Sequence, residues 1–175
     1  MELKDLFTTY WSQTTLLLLG IGYFFKRGLD IKSKKLEINH SLYQQNTLSA
    51  VNRFFESYAK AELMWNQIEI YDIISHKLSA SEIDLLVYPT INDLRKNLFE
   101  LMIYFNESDY NKFYSLYSNL DIINEKMSEL FFEYNPEISE TMKSAKFALA
   151  KLKAFQNNNE IMAELSDVIK LSFKV

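Results

Sequence analysis

The chain has 175 residues, a length that fits one compact domain and excludes two ordinary ones. Apolar residues make up 48% of the chain and charged residues 24%, so a core can form and general disorder is excluded. The net charge of −4 excludes an overall basic surface for nucleic acid, and the absence of cysteine excludes disulfides, thiol catalysis and thiolate metal sites. With only 3 glycines and 2 prolines, the composition favours long helices.

The first predicted element is a membrane-spanning helix over residues 6–25. These twenty residues contain no acidic or basic side chain, and a helix of that length spans about 30 Å, the thickness of the hydrocarbon layer. Its second half, LLLLGIGYFF, is strongly apolar. A buried core helix is the alternative, whereas a cleaved signal peptide is disfavoured because the basic cluster follows the segment instead of preceding it.

The charges that flank this segment predict its orientation. Residues 26–35 hold five basic side chains and one acidic, whereas residues 1–5 hold one basic and two acidic. The positive-inside rule therefore predicts a single-pass inner-membrane protein with residues 1–5 outside the cell. Residues 26–35 form a basic juxtamembrane segment, and residues 36–175 form a cytoplasmic bundle.

The predicted membrane helix carries polar side chains on one face, which a lone helix in lipid has little reason to keep. In one interpretation the hydroxyl groups bond to their own helix carbonyls. In the other, several copies of the chain surround a wet lumen, Gln13 makes polar contacts between helices, and Lys26 and Arg27 form the cytoplasmic mouth. The pore-lining residues are then Thr8, Ser12, Thr15, Leu19 and Gly22.

Apolar residues after the basic cluster recur at steps of three and four, which predicts a bundle of helices. A long helix is predicted from about residue 33 to 76, followed by a short helix that starts at a Ser79–Glu82 capping box and ends before Pro89. Thr90 is predicted to cap the next helix. The helix after the turn at 106–109 has a stripe of Phe113, Leu116, Leu120, Ile123, Met127, Leu130 and Tyr134.

Two further helices are predicted in the C-terminal part. Asn135 and Pro136 form a good start signal, and the stripe that follows consists of Ile138, Met142, Ala145, Leu149 and Leu152. Three consecutive asparagines at 157–159 are predicted to break this helix before a last one.

No motif predicts an enzyme. The chain has no glycine-rich phosphate loop, no HExxH and no EF-hand spacing, so no catalytic residue, metal or cofactor is assigned. His40 and His76, the two histidines, are predicted to be structural. Asn52 and Arg53 form a polar pair beside the apolar stripe, and His40, Asn52 and Arg53 are assigned to an interface or a polar network. Direct binding to nucleic acid is not expected.

The segment TTLLLLGIGYFFKRGLDIKSKK, followed by an all-helical region, resembles the membrane-anchored accessory proteins of type VI-B CRISPR systems, whose cytoplasmic part is similar to the HEPN fold. The resemblance implies an all-α chain with one transmembrane helix and a HEPN-like bundle. It further implies a homo-oligomeric pore that strengthens antiphage defence, coupled functionally to an RNA-guided ribonuclease.

The chain departs from this family in its chemistry. HEPN ribonucleases carry an arginine followed by four to six residues and a histidine, and no arginine here precedes a histidine at that spacing. Lys153 and Asn158 have the spacing, but an asparagine cannot exchange a proton. The leading hypothesis is therefore a pore without nuclease activity. A membrane-tethered adaptor for a protein partner is the alternative, and a ribonuclease built on Arg53 and His40 is the third.

Overall fold

The computed structural model describes the backbone of residues 3–133 and 138–172, and the side chains of residues 22–133 and 138–170. All regular elements in these ranges are α-helices, which confirms the predicted all-α class. In chain order they are α1 (Leu3–Gln67), α2 (Ile70–Ile74), α3 (Ala80–Leu101), α4 (Glu107–Phe132) and α5 (Glu140–Ser172).

The chain divides into two compact units, Met1–Gln45 and Asn46–Val175. The first unit consists of the N-terminal part of α1. The second unit contains the rest of α1 and the other four helices. All buried side chains among the described residues belong to the second unit, beginning with Thr47.

Helix α4 forms the centre of the second unit, where it packs against α5, α3 and α2. Its buried residues include six of the seven predicted from the stripe, Phe113, Leu116, Leu120, Ile123, Met127 and Leu130. The seventh, Tyr134, lies outside the described residues. The ring of Phe54 from α1 lies 5.3 Å from the ring of Phe113, edge to face. Because each such side chain contributes about 2–3 kcal/mol when fully buried, this aromatic contact helps to attach α1 to the bundle.

The predicted long helix over 33–76 is wrong at its C-terminal end, because α1 ends at Gln67 and α2 follows as a separate element. After α2 the chain turns at His76, whose φ of 54° is left-handed. The amide of His76 donates to the carbonyl of Ile73, and the amide of Lys77 donates to that of Asp72. This pair of bonds is a Schellman stop with histidine where glycine is usual.

Helix α3 starts as predicted and ends later than predicted. The hydroxyl of Ser79 accepts from the amide of Glu82, whose carboxylate accepts from the amide of Ser79, so the capping box is confirmed. The predicted stop before Pro89 is wrong, since the helix continues to Leu101. Pro89 has no amide hydrogen to donate to the helix, but it is exposed, and apolar burial on the opposite side holds the helix together.

The predicted break at residues 157–159 is also wrong, because α5 runs through it. Asn158 is fully buried and makes three hydrogen bonds. Its Nδ2 donates to the hydroxyl of Tyr58 (2.9 Å) and to the carbonyl of Leu116 (3.3 Å), and its Oδ1 accepts from Nδ2 of Asn119 (2.7 Å). Partners on α1 and α4 thus satisfy a side chain that would otherwise compete with the helix backbone.

The buried face of α5 differs from the predicted stripe. Met142, Ala145, Leu149 and Leu152 are exposed, whereas the buried residues of α5 are Lys143, Phe147, Ala154, Asn158 and Leu165. Both the predicted and the buried residues follow helical spacing. The predicted stripe contained only apolar residues, whereas the buried face includes Lys143 and Asn158. The predicted start signal at Asn135 and Pro136 lies outside the described residues.

The predicted membrane-spanning helix over residues 6–25 and the single-pass inner-membrane location are wrong. Among the residues that the structure describes, no helix combines the length and the apolarity needed to cross a bilayer. The twenty uncharged residues are long enough to span a bilayer, but the first half of the segment is polar. Six of the ten residues from 6 to 15 carry a hydroxyl or amide side chain other than tyrosine, and such groups make transfer into hydrocarbon unfavourable.

Candidate functional site

Residues 22–43 of α1, called here the exposed segment, form a helix without a buried side chain. Nine large apolar side chains in it are at least half exposed: Tyr23, Phe24, Phe25, Leu29, Ile31, Leu36, Ile38, Leu42 and Tyr43. Single exposed apolar residues are common on proteins, but a contiguous set on one helix marks a surface that another molecule covers. The exposed segment is therefore the first candidate for the functional site.

The apolar residues of the exposed segment form two rows. Phe24, Ile31 and Ile38 recur every seven residues, as do Leu29, Leu36 and Tyr43. At about 100° per residue the two rows lie on nearly opposite sides of the helix. A flat partner surface would cover one row and leave the other in water, so the arrangement fits a deep groove or a pair of partner helices.

The exposed segment is basic, although the whole chain is acidic. It carries five lysine and arginine side chains and two carboxylates, and the lysines and arginines all fall between residues 26 and 35. Lys26 and Arg27, predicted to form the mouth of a pore, are among them and are exposed. These charges favour a partner whose surface is acidic around an apolar centre.

Of the residues predicted to line a pore, Gly22 alone lies within the part of the chain whose side chains the structure describes. Gly22 is exposed, and a Cβ added to it would meet nothing within 4 Å. Residues Thr8, Ser12, Gln13, Thr15 and Leu19 lie outside the residues whose side chains the structure describes. Their predicted roles required a helix that spans a membrane.

Arg53, which the sequence assigned to an interface or a polar network, makes hydrogen bonds on α1 and across to α3. Its Nε and Nη2 bind the two carboxylate oxygens of Glu100 on α3, with the Nε bond at 3.2 Å, and Nη1 donates to Ser49 (2.6 Å). The hydrogen bonds that Arg53 donates to Glu100, together with the negative charge of Glu100, raise the pKa of Arg53. Nδ2 of Asn97 donates to the carbonyl of Arg53 (3.3 Å), so this network holds α1 against α3.

His40 and Asn52, which were assigned together with Arg53 to an interface or a polar network, are not part of the hydrogen-bond network around Arg53 described above. Asn52 and His40 are both exposed. The ring of His76 lies 4.7 Å from the ring of Phe131, which is a packing contact. Since Glu100 and Ser49 occupy the guanidinium of Arg53, the geometry favours a structural role for Arg53 over an acid–base pair with a histidine.

A cleft of about 480 Å³ in the second unit lies where α1 gives way to α2. Its lining includes the apolar residues Leu63, Met64, Ile68, Ile73, Leu78 and Leu86. Of its two carboxylates, Glu69 and Asp72, the latter is paired with the ammonium of Lys77. The cleft offers a place for an apolar side chain, and among the described residues no group of three or more histidine, aspartate and glutamate side chains is placed to hold a metal ion.

Comparisons of the chain with known protein families, with characterised proteins and with solved structures find no match. The function is therefore inferred from the surfaces described above.

Proposed function

We propose that the chain is a helical adaptor that binds another protein through the exposed segment of α1. The observation that carries this proposal is the exposure of every described side chain from residue 22 to 43, nine of them large and apolar. Burying such side chains contributes about 1.5–3 kcal/mol each, which is enough for a stable complex when several are covered together. The second unit supplies a folded domain with its own core.

The partner is a helical protein with an acidic rim. Two apolar rows on opposite sides of one helix require contacts from both sides, as in a groove or a helical bundle. Five basic side chains between residues 26 and 35 favour carboxylates around the binding site. Binding through such charges weakens as the salt concentration rises.

The test is a comparison of two row variants with a matched control. Ile31→Lys with Ile38→Lys disrupts one row, and Leu29→Lys with Leu36→Lys disrupts the other. Ile122→Lys changes an exposed apolar residue of α4 and serves as the control. Proteins that co-purify with the tagged chain from the cells that produce it are quantified, and the candidate partner is then purified and its Kd measured.

We expect each row variant to weaken partner binding by at least tenfold and the control to leave it unchanged, because only the rows enter the interface. The affinity of the unchanged chain should fall between about 50 and 200 mM salt. Equal binding by the row variants and the control would contradict the proposal.

The other functions considered from the sequence receive less support. A pore would require a helix that spans the membrane, and no described helix is long and apolar enough to do so. A pore is therefore not proposed. The resemblance to type VI-B accessory proteins depended on a membrane anchor followed by a helical bundle, and the anchor is not found among the described residues. The coupling to an RNA-guided ribonuclease, which only this resemblance implied, stays a prediction. The third hypothesis, a ribonuclease, would need Arg53, which is already bound by Glu100.

A further inference from the structure

Two pockets lie in the second unit where α3 packs against α4. The lining of the first, of about 240 Å³, includes Asp84, Tyr88, Met127, Ser128, Phe131 and Phe132. The lining of the second, of about 190 Å³, includes Arg95, Phe99, Tyr110, Tyr114, Tyr117 and Asp121. Seven of these residues are aromatic, and the exposed fraction of four of them is about half or more. We call the two pockets and the surface between them the α3–α4 groove.

The spacing of the two pockets matches the spacing of apolar residues in the exposed segment. The α4 residues that line the first pocket lie between 127 and 132, and those that line the second lie between 110 and 121, so the two groups are centred 14 residues apart. That separation is about 21 Å along a helix. The row formed by Phe24, Ile31 and Ile38, called here the first row, also spans 14 residues. One row can therefore reach both pockets.

The charges of the groove complement those of the exposed segment. Asp84 and Asp121 line the pockets together with one cation, Arg95, whose guanidinium lies 5.6 Å from the centre of the Phe99 ring. Glu125 follows Asp121 by one turn on the same side of α4. In the described part of the chain none of the three carboxylates forms an ion pair within 4.0 Å. Such an aromatic and acidic surface favours a basic helix that carries apolar side chains.

Two lysines of the exposed segment are placed to meet these carboxylates. At about 100° per residue, Lys34 and Lys35 lie on either side of the first row. When the first row enters the groove, one lysine is directed towards α3, which carries Asp84, and the other towards α4, which carries Glu125. The apolar centre and the charged flanks of the segment thus fit the groove together.

We propose that, when no other partner is bound, the first row of one copy of the chain lies in the α3–α4 groove of a second copy. The second row, formed by Leu29, Leu36 and Tyr43, stays outside the groove. This inference rests on the proposed function, because it takes the exposed segment as the binding element. It adds a regulation of that element, since a partner that covers both rows has to displace the second copy.

The contact is heterologous, because the segment and the groove are different surfaces of the chain. Each copy can insert its segment into one neighbour and accept the segment of another, so association continues past two copies unless a ring closes. Sedimentation velocity of the purified full chain over a concentration series should therefore give a mean mass that rises beyond that of a dimer. Raising the salt concentration from about 50 to 200 mM should weaken the association, because opposite charges meet in the contact.

The first test compares the two rows in the full chain alone, without another protein. I31K/I38K should raise the Kd of self-association at least tenfold, because the first row enters the groove. L29K/L36K adds the same number of lysines to the same helix and is the matched control, which should not weaken the association. Equal losses from both variants would contradict the proposal.

The second test exchanges charges between the segment and the groove. K34E/K35E and D84K/E125K should each raise the Kd of self-association at least tenfold, and the chain that carries all four substitutions should regain the original Kd. D93K/E160K changes two exposed carboxylates outside the lining of the groove and should have no effect. Failure of the fourfold variant to regain association would show that these charges do not meet.

The third test mixes two defective chains. I31K/I38K keeps an intact groove and D84K/E125K keeps an intact segment, so each chain alone should be a monomer and the mixture should form a 1:1 dimer that grows no further. A mixture that stays monomeric, or an unchanged chain that is a monomer at all concentrations, would overturn this proposal. Neither result would contradict the proposed function, because its own test measures binding to a different protein.

Discussion

Asn158 is the residue at which local preference and tertiary structure disagree most clearly. Asparagine disfavours helix interiors because its side chain competes for backbone hydrogen bonds. In α5 that side chain is occupied by Tyr58, Leu116 and Asn119. Burial without these partners would cost free energy, so the three bonds explain why a polar residue is tolerated in the core.

Replacing Asn158 by leucine should lower the free energy of unfolding by about 2–4 kcal/mol, because the amide of Asn119, the carbonyl of Leu116 and the hydroxyl of Tyr58 each lose a partner. Urea unfolding followed by circular dichroism measures this loss. Asn157→Leu is the matched control, since Asn157 is exposed on the same helix. Its effect should stay within about 0.5 kcal/mol, and equal losses from both variants would refute the role of the network.

Tyr58 should make stability depend on pH in the alkaline range. Burial raises the pKa of Tyr58 to about 12, and the negative charge of Glu62 acts in the same direction, while the hydrogen bond from Asn158 opposes it. The usual pKa of tyrosine is 10.0, so above that pH the unfolded chain loses the proton and the folded chain keeps it. The contribution of the neutral Tyr58 hydroxyl to the free energy of unfolding is therefore complete below pH 10 and is lost as the pH rises towards 12.

The full effect of Tyr58 corresponds to about 2–3 kcal/mol over those two pH units. Urea unfolding of the unchanged chain and of Tyr58→Phe from pH 8 to 11.5 isolates it, because the other tyrosines titrate in both proteins. The unchanged chain should lose more stability above pH 10 than the variant. Parallel curves would show that this hydroxyl is not held neutral by the fold.

At the scale of single elements, the C-terminus of α4 is stabilised from outside the helix. Lys143 on α5 is 8% exposed, and its ammonium donates to the carbonyls of Leu130 (3.5 Å) and Glu133 (2.5 Å). The last carbonyls of a helix lack partners within it and carry partial negative charge. A lysine buried at this place therefore ends one helix and attaches it to the next.

Lys143→Met should destabilise the chain by about 1–3 kcal/mol, since the methionine fills similar space and leaves the carbonyls of α4 without a donor. Thermal unfolding followed by circular dichroism gives the comparison. Lys153→Met is the matched control, because Lys153 is exposed on the same helix. A melting temperature lowered equally by both substitutions would contradict the capping role.

At the scale of the whole molecule, the buried core belongs to the second unit. The described buried side chains begin at Thr47, and residues 22–43 contribute none. A shortened chain that begins at residue 44 should therefore keep a free energy of unfolding within about 1 kcal/mol of the full chain. Denaturant unfolding of the two chains measures this directly, and failure of the shortened chain to fold would show that the exposed segment supports the core.

Several elements could be predicted from the sequence because their signals are local. The capping box at Ser79 depends on residues three apart, and the stripe of α4 depends on spacing within one helix. For the same reason helices could be predicted over residues 6–25 and from about residue 33 onwards, and both stretches lie in α1. The surroundings of residues 22–43 could not be predicted in this way, because a run of apolar side chains suits a bilayer, a core and a protein partner equally well.

The sequence by itself determined an all-α chain, the buried face of α4 and the absence of the Arg–His motif of HEPN ribonucleases. Only the tertiary structure decided that α3 continues past Pro89, that α5 continues past three asparagines, and that the buried face of α5 includes the polar residues Lys143 and Asn158. The physical reason is that both α3 and α5 offer two faces with helical spacing. Which face is buried depends on partners such as Tyr58 and Leu116, which are distant along the chain.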